Sequence, residues 1–465
     1  MTKTESLRNA LRACSQFHEN QRIIAWLQNQ RGVIWLTPKR RRFILFLGAL
    51  VVGFKATVIR YTRWNDTAAA DTWMVPHLTF PILVALVYLL YLAALHFEKL
   101  PRAIKQRPQI SLHLLYWAIL AFLWLTPDDA GVWRNVVTLI AISLPYLLWR
   151  CGYMLMSGQR GNAKRTTFRD HLFYLWPVWG GTITPIGKGS DYLSQCEAQT
   201  AERYARSVLA ALKLFILALL LDLVKLVLGA ILYGDSRNAL TRMLGGYNLG
   251  LPRLPEIVTG QVPASLLTTW IAVYLDLIQA TLTHAVHGHK WVALLRLCGF
   301  NVFRNTYKPL LAQSIVDFWN RYYYYFKELL VEFFFFPTYL RYFRTWPKLR
   351  MFAAVFAAAF VGNMYYHLVQ ARVALAEGEV SSVLEALSPR MIYCFVLALG
   401  VYISMFRQQQ RRGKATPAGS TTGRFIKLRR IAGVWTFFSL LNLWNTRMTS
   451  STPERIGFFL SLFGF

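Results

Sequence analysis

The stretch Lys39-Arg-Arg-Arg42-Phe-Ile-Leu-Phe-Leu-Gly-Ala-Leu50-Val-Val-Gly-Phe-Lys-Ala-Thr-Val-Ile59 decides the fold class. A helix needs about 20 mainly apolar residues to cross a bilayer, fewer if charged ends reach the headgroups. Residues 43–59 meet that requirement directly after four consecutive cations. Comparable apolar runs follow at 78–97, 110–126, 132–149, 206–233, 262–285, 351–374 and 390–406, with a shorter one at 431–446. Two more stretches, 171–187 and 328–343, are interrupted by Pro and Gly or by charge. They read as re-entrant or oblique helices, tolerated only where protein shields the freed backbone groups. The predicted fold is all-α: a polytopic helical membrane protein with about nine full spans plus two re-entrant or oblique membrane helices.

Composition agrees. Hydrophobic residues make up 55% of the 465 and charged residues only 16%, whereas a soluble chain carries about a quarter charged residues. The net charge of +30 is spread in short blocks beside the apolar runs: 39–42, 99–107, 160–169, 341–350 and 407–430. That is the positive-inside pattern, with contact to anionic lipid headgroups, and it excludes a nucleic-acid partner, which would meet one basic domain face. The alternation of basic loops with the acidic pairs Asp66/Asp71 and Asp128/Asp129 puts the N-terminus in the cytoplasm.

Four regions are expected: a cytoplasmic amphipathic segment 1–40, a membrane-embedded domain 41–406, a basic cytoplasmic linker 407–430, and a C-terminal membrane helix and tail 431–465. The first segment, with Leu7, Leu11, Ile23, Ile24, Trp26 and Leu27, suits either the membrane surface or packing on cytoplasmic loops. The first apolar run lacks a cleavage site and is expected to be retained as a span. Cys14, Cys151, Cys196, Cys298 and Cys394 have neither disulfide-framework nor zinc spacing, so no metal is expected.

Polar residues inside spans are costly and each asks for a reason. His367 lies in Phe360-Val-Gly-Asn363-Met-Tyr-Tyr-His367, with Asn363 one turn earlier on the same face. A buried neutral imidazole can accept a proton from a hydroxyl or thiol, but by itself the residue is more readily explained as a histidine bonded to a neighbouring helix. Asp222 and Lys225 are spaced to pair with each other, and Asp276 must face the interior. His284, His287 and His289 read as an interfacial end of a span, with metal binding as the less favoured alternative. The run Asp317-Phe-Trp319-Asn320-Arg321-Tyr-Tyr323-Tyr-Tyr-Phe-Lys327-Glu328 brings five polar or charged residues into an apolar region, as the lining of a polar cavity would.

The segment Gly299-Phe-Asn-Val-Phe-Arg-Asn-Thr-Tyr-Lys-Pro309-Leu-Leu-Ala-Gln-Ser314-Ile-Val-Asp317-Phe-Trp319 resembles the signature of membrane-bound O-acyltransferases. The likeness is greatest to the bacterial branch that acylates alginate and teichoic acid. Tyr174-Leu-Trp-Pro177-Val-Trp-Gly-Gly181-Thr-Ile-Thr-Pro185 with Asp191-Tyr-Leu193 resembles an upstream motif of that family, and Tyr274-Leu-Asp276 a further one. The matches keep the family order over roughly residues 140–370 and place His367 at its essential histidine. Three departures stand out: His367 lacks the family's Gly-Leu-Trp-His-Gly context, with Gly362 five residues before it and Leu368 after it; Tyr323 occupies a position usually His or Asn; and Leu-Ile-Gln-Ala follows Asp276 in place of Ser-Gly-Tyr-Ser. They imply a divergent subgroup with a different acceptor.

The resemblance implies an acyltransferase of the bacterial inner membrane that moves an acyl group from a thioester, acyl-CoA or acyl carrier protein, to a hydroxyl or amine acceptor. His367 would be the general base, Asn363, Asn320 and Tyr323 would orient it or bond the oxyanion, and Asp317, Trp319, Arg321, Lys327, Glu328 and Asp276 would line the substrate tunnel. Membrane lipid, the donor and the acceptor would be its partners, with no tightly bound cofactor. The alternative is a non-catalytic or transport component of an envelope assembly, with Asp222, Lys225 and Asp276 along a translocation path.

Overall fold

The computed structural model describes residues 16–65, 73–127, 131–175, 188–234, 239–243, 245–411, 421–445 and 450–465. Among them every regular element is a helix, apart from one isolated antiparallel bridge between Glu197 and Phe300. Among the described residues seven helices are long and apolar enough to cross a membrane: Pro38–Trp64, Met74–Leu95, Pro108–Leu125, Ala201–Tyr233, Leu266–Leu297, Pro347–Gln370 and Ser388–Gln410. Such a set belongs to a multi-pass helical membrane protein.

The count differs from the nine expected, for two physical reasons. The 132–149 run breaks at Leu144-Pro-Tyr146 into Gly131–Tyr146 and Leu148–Gln159, bent by 64°, and makes an eighth crossing only if the pair is one broken span. The C-terminal helix runs Thr421–Asn442, starting ten residues before the expected apolar stretch, so Arg424, Lys427, Arg429 and Arg430 occupy its first half. The 328–343 stretch lies in a short bent helical run, Tyr324–Leu330, Val331–Phe335 and Phe336–Arg341. The 171–187 stretch is described only as far as Leu175, so most of it, with most of the Tyr174–Pro185 motif, lies outside the described residues, as do Asp66, Asp71, Asp128, Asp129 and much of the 407–430 linker.

The chain divides into two compact units: residues 1–217, 288–304 and 372–379, and residues 218–287, 305–371 and 380–465. In the first, Ile24 is buried against Ala205 and Leu209 while Trp26 stays 64% exposed, so the N-terminal helix Gln21–Gln28 packs on one side and leaves an aromatic free on the other. Arg42 pairs with the buried carboxylate of Glu197, and Tyr204 donates to the Leu297 carbonyl at 3.1 Å. Gly158 permits the closest approach: a Cβ there would lie 2.5 Å from the Ala94 carbonyl oxygen.

The second unit is knitted by aromatic and small residues. Phe318 stacks on Phe438 at 3.8 Å, and Leu277, Leu397 and Leu441 complete that cluster. The Pro347–Gln370 span is interrupted by a π-helical turn, Ala357–Gly362, packed against the second π-helical turn, Val331–Phe335. Gly362 makes the contact possible, because a Cβ there would sit 2.6 Å from the Phe334 ring.

Candidate functional site

The ten residues that the resemblance marks as catalytic or tunnel-lining all belong to the second unit. Most of them gather in two polar centres joined by aromatic rings, while Asn320 and Asp276 stand apart. The first is built on the break between helices Ile315–Tyr322 and Tyr324–Leu330. Ser314 caps the first of these by accepting from the Asp317 amide at 3.1 Å. Asp317 in turn accepts from the Gln313 amide at 3.2 Å and from Arg321 Nε at 2.7 Å, an i,i+4 pair. The Ser-Ile-Val-Asp-Phe-Trp motif is therefore a helix start whose carboxylate holds its own first turn and one cation.

A helix end leaves carbonyls without intrahelical partners. Here the preceding loop supplies them: the Tyr307 amide donates to the Arg321 carbonyl at 2.7 Å, and Thr306 Oγ1 to the Tyr322 carbonyl at 3.1 Å. Asn305, fully buried, takes the other side of the break. Its carbonyl accepts from the Tyr324 amide at 3.1 Å and its Oδ1 from the Tyr325 amide at 3.2 Å. Its Nδ2 is thereby turned to Nε2 of His284 at 3.2 Å. An amide nitrogen only donates, so Nε2 of His284 is the acceptor and the imidazole carries its proton on Nδ1. His284, 4% exposed, is stacked on Tyr323 at 4.0 Å and on Tyr322 at 4.7 Å. The three histidines of this helix do not converge, since His284 and His289 are buried while His287 is exposed, and no metal-holding group of His, Cys, Asp and Glu occurs among the described residues.

The second centre lies at the C-terminal side of the π-helical turn. Asn363 is 1% exposed, and neither Oδ1 nor Nδ2 has a hydrogen-bond partner. A buried amide left so costs about 1–3 kcal/mol per unmet group. His367, one helical turn on, is half-buried; its ring contact is with Tyr366 at 5.6 Å, and no hydrogen bond engages its nitrogens among the described residues. The centres communicate through rings in series: Tyr323 to Phe326 at 5.4 Å, Phe326 to Tyr366 at 4.9 Å, and Tyr366 to His367.

The remaining candidates divide. Trp319 stacks near Tyr323 and Phe326 and belongs with the first centre. Lys327 pairs with Glu328, both part-buried, and lies 4.9 Å from the Tyr324 ring. Asn320 is exposed and makes no side-chain hydrogen bond, so it is not brought to His367. Asp276 accepts from Asn442, a polar tie between its helix and Thr421–Asn442, and the Tyr274 and Thr436 hydroxyls join the same two helices at 2.8 Å. Asp222 and Lys225 pair with each other at 3.1 Å. Sequence reasoning missed Asn305 and undervalued His284; the signal for both was a polar side chain in an apolar setting, 21 residues apart and meaningless until folded together. No protein-family model matches the chain, and no curated protein matches it significantly.

Proposed function

We propose that the protein is a membrane-embedded acyltransferase of the bacterial inner membrane, moving an acyl group from a thioester of CoA or an acyl carrier protein to a hydroxyl-bearing acceptor. His367 takes the acceptor's proton as its oxygen attacks the thioester carbonyl; the C–S bond breaks and the thiol leaves with a proton. Asn363 faces the same side and donates from Nδ2 to the developing oxyanion, a role suited to a neutral donor fixed before the reaction. One observation carries the reading: a fully buried amide with both polar atoms unmet stands one turn from a histidine whose ring nitrogens are equally unengaged. Nothing in packing alone favours that pair, whereas an incoming carbonyl and hydroxyl would satisfy it. The Tyr323 position, filled in the resembling family by His or Asn, is here covered by the His284 ring, in keeping with a divergent acceptor.

The test is thiol release from an acyl-CoA by membranes holding equal amounts of wild type, His367→Ala or Asn363→Leu. Loss of a general base is expected to lower the rate about 10²–10⁴-fold. Undiminished release by His367→Ala sinks the proposal.

A further inference from the structure

In the first unit, Arg60 carries a charge with no acidic partner among the described residues. Arg60 lies four residues before the end of the Pro38–Trp64 helix, about 6 Å of helix from its terminus and so at headgroup depth in a spanning helix. An arginine there ordinarily snorkels, its stem on apolar surface and its guanidinium in water. Arg60 does the opposite. Its head turns inward, Nη1 donating to Oγ of Ser143 at 3.1 Å, and Ser143 is 0% exposed. Its Nε is buried with no hydrogen-bond partner, and no carboxylate among the described residues pairs with it. A second cation adds to the charge: the guanidiniums of Arg60 and Arg372 each lie 4.3 Å from the centroid of the Tyr146 ring, so they are no more than about 9 Å apart. Both residues and the ring belong to the same compact unit.

Tyrosine faces attract cations but carry no net charge, so the ring holds the Arg60 guanidinium without neutralising it. Arg60 is only half-buried, but its Nε has lost water and found no acceptor, and an anion would supply both the acceptor and the opposite charge. The geometry points to a phosphate-binding site centred on Arg60, with Arg372 as its second cation and the Ser143 hydroxyl beside it. Guanidinium matches the tetrahedral oxyanion through paired N–H donors, and Arg60 Nε is one such donor still unused. Two sources share this chemistry, a phospholipid headgroup at the end of the span and a free phosphate.

The experiment uses full-length protein in a phosphate-free maltoside detergent, reading thermal midpoint against added short-chain phosphatidylglycerol, the matching diacylglycerol, or inorganic phosphate. Wild type is expected to rise with phosphatidylglycerol and not with diacylglycerol; a rise with inorganic phosphate as well assigns the site to free phosphate. Arg60→Gln is expected to weaken the effective ligand by at least about tenfold, the loss of one charged hydrogen-bonding partner. Should Arg60→Gln not fold, Arg60→Lys keeps the charge but loses the paired donors, and the same weakening is expected. No rise in wild type, or equal rises in wild type and the Arg60 variant, overturns the site.

Discussion

Asn305 and His284 are locked in one orientation each: the amide that bridges the broken helix through Oδ1 presents Nδ2 to Nε2 of the imidazole at 3.2 Å, with both residues buried. One side chain therefore closes the backbone at the Tyr323 break and selects the histidine tautomer stacked on Tyr323.

Removing that side chain strands several groups at once. Asn305→Ala leaves the Tyr325 amide and His284 Nε2 without their partner, and a destabilisation of about 2–4 kcal/mol is expected. It would appear as an earlier loss of the monodisperse peak when the detergent-solubilised protein is heated. His284→Gln, which can still accept from Nδ2, should cost less. A melting profile for Asn305→Ala equal to wild type would remove the bridge from the account.

Asn363 offers the opposite sign. Replacing an unsatisfied buried amide with the similarly sized Leu removes an unmet polar group, so Asn363→Leu is expected to be neutral or stabilised by about 1–2 kcal/mol while thiol release falls. Stability and activity moving together would instead mark a structural residue. The two measurements are made on the same preparation.

Gly362 is required by the paired π-helical turns. Gly362→Ala drives a methyl into the Phe334 ring, which should cost about 1–3 kcal/mol. Adding Phe334→Leu should restore much of it, because the rim of the smaller side chain can yield. Failure of the second change to rescue would place the strain elsewhere than in this contact.

The N-terminal segment should loosen with acid. Nζ of Lys213 lies 3.2 Å from Nε2 and 3.4 Å from Nδ1 of His18. Burial first, and the Lys213 charge second, hold the imidazole below its ordinary value of 6.5. The unfolded segment then binds more protons than the folded one, so docking is strongest above about pH 6.5 and weakens as pH falls towards the depressed value. Amide protection over residues 17–28, taken relative to the intrinsic exchange rate at each pH, is expected to fall between about pH 7.5 and 5.5, and His18→Gln should flatten that change. An unchanged slope in the variant would assign the effect to another group.

The membrane helices were legible because a span is a local property: about 20 apolar side chains in sequence suffice, whatever the rest of the chain does. The runs from 43 and 78 reappear as Pro38–Trp64 and Met74–Leu95 for that reason. Boundaries were less legible where charge can be carried at a helix end. Arg424 to Arg430 were read as linker, yet the backbone continues through them as helix, since a basic helical turn costs little at the headgroups.

The site was legible only in part. Asn363 and His367 share a helix face by spacing alone, and Asp317 and Arg321 pair by the same rule, so local periodicity placed them. Neither the tie of Asp276 to Asn442, 166 residues away, nor the stacking of His284 on Tyr323 has a local signal. What the sequence by itself determined is which segments leave water and which polar residues must go with them. What only the tertiary structure decided is which of those polar groups satisfy one another. His284 and Asp276 found partners, whereas Asn363 and Arg60 were left with unmet polar atoms, because hydrogen bonds depend on positions in space that a pattern of apolar residues does not specify.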